Sequence, residues 1–411
     1  MHVTGIIAEY NPFHNGHARM IEAVRQRLPG TAVIALMSGS FTQRGEPAIL
    51  DKWQRAMAAI CGGCDLVLEL PFVFAVRSAQ DFARGAVLLL ERLGIATHLA
   101  FGIEHDDIQG LQHCAKMIDA PCLQEKIHAG LQEGHSYAEA LTEALAAETG
   151  MEKATLKQPN TILALEYLRS LHLTGSSMEP VPIQRQGAGH KDTDLLGSIS
   201  SASAIRKEAQ KNSPAWDELK TALPPASFDA LWKDRNSFPQ ADMFHKLLLS
   251  SLYRMNLPQL REIHGINEGM EHRILSAARE ALSLPALLDG IASRRYPRSR
   301  IQRVLAHLLF GFAWEQASSF DRCGPQYVRV LAFNDTGRML LRGIRNRNRL
   351  PLITKTSRFL RSADLSRLPD DLPSLQRMMR FDCLGTDMRE LCRPIPIPCG
   401  KDFLQSPLYM Q

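Results

Sequence analysis

The sequence predicts an α/β protein built on a Rossmann-like parallel sheet, with a helical insertion and a mostly α-helical, basic C-terminal region. Three observations support this prediction. Short apolar runs alternate with helical segments over residues 3–101. Helical patterns dominate after Pro224-Pro225, and the net charge changes sign along the chain. The chain is long enough for two domains, each with its own hydrophobic core.

The strand–helix alternation begins at the amino terminus. Apolar runs of strand length occupy residues 3–8, 31–37, 66–70 and 97–101. Helical patterns lie between them, at residues 15–28, 51–61 and 77–93. A doubly wound sheet binds its ligands beyond the carboxyl ends of its strands. We therefore expect His14, Ser38-Gly39-Ser40 and Gly102, which all follow strands, to gather along one edge.

The segments after these strands predict an insertion and a return to the sheet. Residues 107–150 are helical in pattern and contain no strand signal, which indicates an insertion. Asn160 begins or precedes a further helix, and residues 179–185 form a returning strand. A Gly-rich loop at 187–189 comes next, and the serines of 200–203 cap a short helix.

Pro224-Pro225 and the polar stretch around Asn236 indicate a boundary, so we expect domains at residues 1–225 and 226–411. Beyond the boundary, stretches such as MFHKLLLSSLYRM are helical in pattern. One strand pair is predicted there, at YVRVLAF and RMLLRGI, with Asn334-Asp335-Thr336-Gly337 as its turn.

Charge is divided unevenly between the two parts of the chain. Residues 235–411 carry 27 Lys and Arg against 16 Asp and Glu, a net of +11, whereas the remainder carries −6. Of those 27 basic residues, 24 are arginine, the better fork for phosphate groups. The asymmetry predicts that the basic part docks a polyanion.

The first strand leads into a helix with two histidines at its N-terminus. The polar turn Glu9-Tyr10-Asn11-Pro12-Phe13 is followed by HNGH at residues 14–17. A helix N-terminus has unpaired N–H groups and a partial positive charge, so it favours phosphate. His14 and His17 lie about one turn apart and can reach one ligand, while Gly16 lets a bulky group approach the backbone. This arrangement suits a nucleotide triphosphate that is held while one phosphate is attacked.

An HxGH motif after a first strand is the signature of the HxGH nucleotidyltransferase superfamily, and the longer string EYNPFHNGH resembles the bacterial tRNA(Met) cytidine acetate ligase family. Further segments resemble that family in order along nearly the whole chain. They are MSGSFTQRGEPAILDKWQRA (37–56), FGIE (101–104), QPNTILALEYLRSL (158–171), RQGAG (185–189), SSASAIRK (200–207), EGMEHRI (268–274) and SRRYPRSRIQRVLAHLLF (293–310).

The resemblance implies an activity and its partners. The enzyme would activate acetate with ATP to acetyl-adenylate and then acetylate the wobble cytidine of elongator tRNA(Met), giving N4-acetylcytidine. Adenylation is an in-line displacement that requires positioning and charge neutralisation rather than a covalent protein intermediate. The triphosphate implies Mg²⁺ as its counter-ion, which takes few protein ligands and is not advertised by the sequence.

The same resemblance assigns site residues. His14 and His17 are the predicted catalytic residues, and Ser200, Ser201 and Arg206 form a second phosphate element like the superfamily's ISSTxIR motif. The full set of predicted ATP contacts is Ile7, Ala8, Glu9, Tyr10, Asn11, Pro12, Phe13, His14, Asn15, Gly16, His17, Met20, Gly102, Asn160, Arg185, Ser200, Ser201 and Arg206.

The predicted tRNA contacts are five arginines that lie within ten residues, with a tyrosine among them: Arg294, Arg295, Tyr296, Arg298, Arg300 and Arg303. Such a cluster can follow a phosphate backbone while the aromatic ring stacks on a base. A looser basic patch follows at Arg342, Arg345, Arg347 and Arg349.

Two other functions fit parts of this sequence. A small-molecule nucleotidyltransferase that acts on a phosphorylated metabolite would use the same HxGH site, although it would not need the basic C-terminal part. A tRNA-binding module with a vestigial nucleotide site is the second alternative, and the intact HNGH and SSASAIR segments argue against it.

The remaining sequence signals concern metals and location. Cys61 and Cys64 form a lone CxxC without the second pair that a zinc site needs, so we predict no metal-ligand cluster and expect small buried residues there. No signal peptide and no spanning apolar run are found, which predicts a cytoplasmic protein.

Overall fold

The computed structural model describes residues 2–104, 106–184, 197, 199–267, 269–347, 350–366, 371–395 and 397–411. Within these residues, eight strands form one mixed sheet that is mostly parallel. The strands are β1 (Val3–Ala8), β2 (Ala32–Ser38), β3 (Leu66–Leu70), β4 (His98–Ile103), β5 (Glu179–Gln184), β6 (Val328–Phe333), β7 (Leu352–Ile353) and β8 (Leu408–Tyr409).

The strand order is β5-β4-β1-β2-β3-β6-β7, with β8 paired to β6. The first five strands of this order run parallel, and Ile6 at the centre pairs with Ala35 on one side and Ala100 on the other. All seven residues of β2 are buried, as expected for a strand covered on both faces. The predicted strands of the first half are therefore confirmed, including 179–185 as far as Gln184.

The helices between these strands also match the prediction. They are α1 (Asn15–Arg27), α2 (Lys52–Cys61), α3 (Phe72–Ala75) and α4 (Ala79–Leu93). Asp51 caps α2 by accepting a hydrogen bond from the Gln54 backbone N–H, and Gly94 ends α4 in the left-handed conformation, at φ 68°. The insertion between β4 and β5 is helical throughout its described residues, with α5 (Ile108–Met117), α6 (Pro121–Gln132), α7 (Tyr137–Thr149), α8 (Lys153–Leu156) and α9 (Pro159–Thr174).

The rest of the described chain is mainly helical. It contains α10 (Ala202–Ala209), α11 (Trp216–Ala222), α12 (Pro225–Lys233), α13 (Ala241–Leu252), α14 (Leu257–Glu262), α15 (Met270–Glu280), α16 (Leu284–Ile291), α17 (Arg298–Phe310), α18 (Trp314–Cys323), α19 (Asp335–Arg347), α20 (Ser374–Leu391) and α21 (Lys401–Leu404). No helix of the described segments is both long and apolar enough to cross a membrane.

The predicted hairpin at 327–344 is wrong in its second half. β6 forms as expected, but RMLLRGI lies in α19. The Asn334 side chain accepts a hydrogen bond from the Gly337 backbone N–H at 2.9 Å, which starts the helix rather than a strand-to-strand turn. Asn supports both structures by the same side-chain hydrogen bond, so the local sequence does not distinguish them.

β6 pairs antiparallel with β3, and β7 and β8 extend from β6. Strands from both sides of residue 225 therefore share one sheet. The segments from α12 to α18 are helical, but the chain after residue 328 returns to the sheet of the first half. The division into domains at 1–225 and 226–411 therefore stays a prediction.

A glycine on α19 gives a direct test of how closely this helix packs on β3. A Cβ added at Gly337 would lie 2.0 Å from the backbone oxygen of Asp65, whereas one at Gly343 on the same helix would have no contact closer than 3.7 Å. We expect Gly337→Ala to lower the free energy of unfolding by about 1–3 kcal/mol through overpacking. Gly343→Ala should instead be neutral or stabilising by up to about 1 kcal/mol, because alanine favours the helix.

Urea unfolding of the two variants beside the wild type measures both effects. Equal stability of the two variants would show that α19 can shift away from β3 at no cost.

Candidate active site

A large cleft lies beyond the carboxyl ends of β1 and β4, where the strand order reverses direction. Its volume is about 720 Å³. The crevice at such a reversal is where open α/β sheets bind their ligands. Residues that we predicted as ATP contacts line it from four separate segments: Ile7, Ala8, Glu9, Tyr10, Asn11, His14, His17, Met20, Gly102, Asn160, Ser201 and Arg206.

The two histidines of HNGH are held together at the start of α1. His14 is the N-cap residue, and its Nδ1 accepts a hydrogen bond from the Gly16 N–H at 3.0 Å. Nδ1 of His17 accepts from the His14 N–H at 3.2 Å, and the ring centroids lie 3.8 Å apart. An Nδ1 that accepts a hydrogen bond leaves the proton of a neutral imidazole on Nε2. Both rings are therefore fixed as Nε2–H donors at a helix N-terminus, which is chemistry suited to phosphoryl oxygens.

The turn before the histidines is fixed by side chains from distant segments. Tyr10 adopts the left-handed conformation, at φ 48°, and its buried ring packs against His17 at 4.8 Å. Asn11 Oδ1 accepts from the Ile49 N–H at 2.8 Å, and the Asn11 backbone oxygen accepts from Arg206 Nη1 at 2.7 Å. Arg206 thus connects α10 to this turn.

The second predicted phosphate element sits at the start of α10. Ser201 is the N-cap residue and accepts from the Ala204 N–H at 3.1 Å, so the helix begins where the sequence predicted. Ser200 is buried, and its hydroxyl donates to the Gly197 backbone oxygen at 3.3 Å. Ser201 and Arg206 border the cleft, and Ser200 lies behind them.

Glu104 does not line the cleft but holds the lining residue Asn160, and the sequence analysis did not single it out. Its Oε1 accepts from Asn160 Nδ2 at 2.5 Å, and its Oε2 accepts from the Thr161 N–H at 3.1 Å. A carboxylate at the first turn of α9 is stabilised by the helix dipole. Glu104 therefore orients the Asn160 amide at the cleft. Its place in the FGIE segment, two residues after Gly102, was the sequence signal that could have identified it.

Glu9 also borders the cleft and has an unusual environment. Its Oε1 accepts from the Gln43 N–H at 2.6 Å. Burial raises the pKa of the Glu9 carboxyl, although the Gln43 hydrogen bond and the charges of Arg206 and Arg44 oppose the shift. A carboxyl with a raised pKa is suited to moving protons near neutral pH.

The loop between β2 and α2 supplies further lining residues that sequence reasoning missed: Thr42, Gln43, Arg44 and Glu46. Gly45, at φ 82°, packs against α17 so closely that a Cβ would lie 2.7 Å from the Gln302 backbone oxygen. Gln302 Nε2 donates to Glu46 Oε1 at 2.9 Å. The QRGE segment was visible in the sequence, but its contact with α17 depends on the tertiary fold.

The structure divides the predicted tRNA cluster. Arg295, Arg300 and Arg303 line the same cleft as the histidines. Arg294 and Arg298 lie outside it, within 3.7 Å of Glu139 and 3.0 Å of Asp289.

Tyr296 is also not at the surface. Its side chain is buried, its hydroxyl donates to the Asn267 backbone oxygen at 3.3 Å, and Arg300 lies 5.1 Å above its ring. In this arrangement the ring supports Arg300 and presents no open face for a base.

Several predicted ATP contacts lie away from the cleft wall. Phe13 is fully buried in the core, and Asn15 Nδ2 donates to the Thr221 backbone oxygen at 2.9 Å. Pro12 and Gly16 do not border the cavity either, although Gly16 holds His14 in place. Arg185 and the loop at 187–189 lie outside the described residues.

The described part of the chain contains one group of side chains that could hold a metal ion. Within that part, the one group of His, Cys, Asp and Glu close enough to share an ion is half-buried and consists of Glu139 and Glu143 on α7 and His135 just before it. The CxxC is split, because Cys64 is buried against Tyr10 while Cys61 is exposed, contrary to the expectation that both are buried.

Comparison with known proteins gives concordant matches. The HIGH nucleotidyl transferase family matches residues 1–398. A tRNA(Met) cytidine acetate ligase of Syntrophomonas wolfei is 38% identical over 99% of both chains, and one of Acetivibrio thermocellus is 36% identical over 100% of both. The crystal structure of Thermotoga maritima TmcAL superimposes with a TM-score of 0.91 at 34% identity, covering 100% of both chains. A second form of that protein, bound with alpha-thio ATP, gives a TM-score of 0.89.

Proposed function

Since the chain belongs to the tRNA(Met) cytidine acetate ligase family, within the HIGH nucleotidyl transferases, we propose a specific division of work within its cleft. The protein is an ATP-dependent ligase that acts on cytidine of tRNA(Met). The chain is similar to ligases over its full length. This similarity argues against the two alternatives, a small-molecule nucleotidyltransferase and a tRNA-binding module without activity.

In the first half-reaction, an acetate oxygen attacks the α-phosphorus of ATP and pyrophosphate leaves. The observation that carries this assignment is the histidine pair, with both Nδ1 atoms occupied by backbone N–H donors and both rings at the mouth of α1. The Nε2–H groups would donate to phosphoryl oxygens and stabilise the charge that develops there. The N-terminus of α10, with Ser201, would hold the departing phosphates.

In the second half-reaction, the exocyclic amine of the wobble cytidine attacks the acetyl carbonyl, the carbonyl–phosphate bond breaks, and AMP leaves. The amine loses one proton in this step. Glu9 is well placed as its acceptor, because its carboxyl lies in the cleft and burial raises its pKa. A mixed anhydride hydrolyses readily, so we expect the cleft to exclude water until tRNA arrives.

We assign Mg²⁺ to the triphosphate rather than to a protein cage. The carboxylate of Glu9 at the cleft and that of Glu104 behind Asn160 both accept hydrogen bonds from N–H donors, which leaves them poor candidates for a dedicated metal site. Mg²⁺ keeps several waters and binds few protein ligands, so this donor set fits an ion that arrives with ATP. When bound, the ion would neutralise charge on the pyrophosphate group.

The function is tested by incubating the protein with ATP, acetate and elongator tRNA(Met) in the absence of acetyl-CoA. We expect N4-acetylcytidine in the tRNA nucleosides, measured by mass spectrometry, together with AMP and pyrophosphate. Absence of the product, or an absolute need for acetyl-CoA, would end the proposal.

The arginine cluster is tested by charge reversal. We expect the double change Arg295→Glu and Arg298→Glu to raise the KM for tRNA by about tenfold or more, and to flatten its salt dependence, because each lost phosphate contact reduces counterion release. Acetate-dependent ATP–pyrophosphate exchange should change little. Arg322→Glu, at an exposed residue of α18, is the matched control for each of the two single variants, because each of these reverses one charge. An equal effect of the control would mean that only net charge matters.

A further inference from the structure

The cleft continues beyond the histidine pair to a wall formed by the basic part of the chain. Arg300, Arg303, Val304 and His307 of α17 line this wall, together with His264 and Trp314. These α17 positions recur every three or four residues, so they occupy one face of the helix. Neither the predicted ATP contacts nor the family's motif residues account for His264 and Trp314.

Arg303 stands out on this wall by its electrostatics. In the described segments its guanidinium makes no hydrogen bond or ion pair. Burial, together with the nearby charges of Arg300 and Arg44, lowers the pKa of Arg303 to about 10, with Asp81 opposing. A half-buried cation without a bonded anion has lost part of its hydration and gains no compensating contact. An anionic ligand that enters the cleft would offset this cost.

Trp314 supplies an aromatic surface on the same wall. The indole is 41% exposed although it borders the cleft. Its Nε1 donates to the Ile266 backbone oxygen at 3.3 Å, and its ring lies 4.4 Å from the His264 ring. The indole is therefore held in position on one side while much of its surface remains open to a ligand.

The cation of Arg303 and the indole of Trp314 belong to one connected wall. The His264 ring also packs against His307, at 5.1 Å between centroids, so Trp314 is tied to the His307 end of α17. Arg303 lies one helical turn before His307, about 6 Å along the axis. A phosphate bound at Arg303 and a base stacked on Trp314 would therefore lie on the same wall of the cleft.

We propose that this wall is the acceptor-nucleotide site, where the indole of Trp314 stacks on the cytosine to be acetylated and Arg303 binds the phosphate of that nucleotide. The inference rests on the proposed function, because it identifies where the second substrate sits. It places the cytosine across the cleft from His14 and His17, with the acetyl group to be transferred between them. The other source of a phosphate at Arg303 is the triphosphate of ATP, and the test separates the two.

The test compares Trp314→Ala, Trp314→Phe and Arg303→Gln in the full-length protein. Three quantities are measured: acetate-dependent ATP–pyrophosphate exchange, single-turnover acetylation of tRNA(Met), and tRNA affinity by filter binding. Trp232→Ala is the matched control, because Trp232 is 43% exposed but lies outside the cleft. Urea unfolding checks that every variant is folded.

We expect Trp314→Ala to slow acetylation by about tenfold or more, the range for loss of one base-stacking contact, with Trp314→Phe retaining most of the rate. Arg303→Gln should weaken tRNA binding in the filter assay, and exchange should stay within about twofold of the wild type in each variant. A parallel fall in exchange for Arg303→Gln would assign Arg303 to ATP and overturn the proposal. Unchanged acetylation in Trp314→Ala would overturn it as well.

Failure of the proposed function itself gives a different result. In that case the wild-type protein would yield no N4-acetylcytidine under any condition. Weaker tRNA binding by Trp314→Ala than by Trp232→Ala would then still support a nucleotide site at this wall.

Discussion

Replacing His14 by alanine is expected to lower acetate-dependent ATP–pyrophosphate exchange by about 10²- to 10³-fold, the cost of losing one preorganised donor to a developing charge. The His14 side chain also caps α1 through the Gly16 N–H, so the change removes both a phosphoryl donor and the cap. His17→Ala should have an effect of similar size, because its Nδ1 fixes the ring against the His14 backbone.

The two histidines should act as one unit. They stack at 3.8 Å and share one capping arrangement, so we expect the double variant to be little worse than either single variant. The affinity for tRNA should be unchanged in all three. His128→Ala, at an exposed position on α6, is the control. Exchange at wild-type rates in His14→Ala would remove the histidine pair from the mechanism.

Replacing Lys52 by methionine is expected to lower the free energy of unfolding by about 3–5 kcal/mol, because it removes one of the two cations that neutralise a buried pair of carboxylates. Lys52 Nζ lies 2.8 Å from Glu69 Oε1 and 2.7 Å from Asp402 Oδ1, and all three side chains are almost fully buried. Arg329 completes the network with bonds to both carboxylates.

The pKa directions agree with this network. Burial and the Arg329 charge lower the pKa of Lys52, but Asp402 and Glu69 outweigh them, and the net shift is upward. Burial raises the pKa of Asp402, yet Arg329 and Lys52 bring it below its usual value. The folded protein thus favours the protonated Lys52 ammonium and the ionised Asp402 carboxylate.

Urea unfolding measures the effect of Lys52→Met. Lys211→Met is the control, since Lys211 is exposed, its partner Glu208 lies three residues earlier, and an ion pair with an exposed member of this kind contributes about 1 kcal/mol or less. If Lys52→Met were as stable as the wild type, the network would be replaceable by apolar packing. The result also bears on the fold, because Asp402 and Arg329 belong to the segments that join the sheet late in the chain.

The sequence patterns that gave correct predictions depend on residues that are close together in the chain. Apolar runs such as 66–70 and stop residues such as Gly94 gave the first four strands and their helices. The HNGH segment predicted a helix N-terminus at which two histidine rings lie close together. In the structure His14 and His17 cap α1 through reciprocal hydrogen bonds. These features depend on residues within about one helical turn, so the sequence contains all the information needed.

The predictions that were wrong concern residues whose structure depends on contacts with segments distant in sequence. Asn334 and Gly337 were predicted as a hairpin turn, but they begin α19 because β6 pairs with β3, far away in sequence, rather than with the next segment. Tyr296 was predicted as a stacking surface from its arginine neighbours, yet its ring is buried under Arg300. Burial is a property of the assembled fold, and residue type alone does not give it.

The sequence by itself determined the parallel α/β core, the histidine pair at an early helix start, and the basic character of the second half. The tertiary structure decided that the basic wall faces the histidines across one cleft, that Glu104 orients Asn160, and that Trp314 is exposed there. The physical reason is range. Helix starts and buried strands are fixed by hydrogen bonds and apolar patterns between near neighbours, whereas a shared cleft depends on which distant surfaces exclude water from one another.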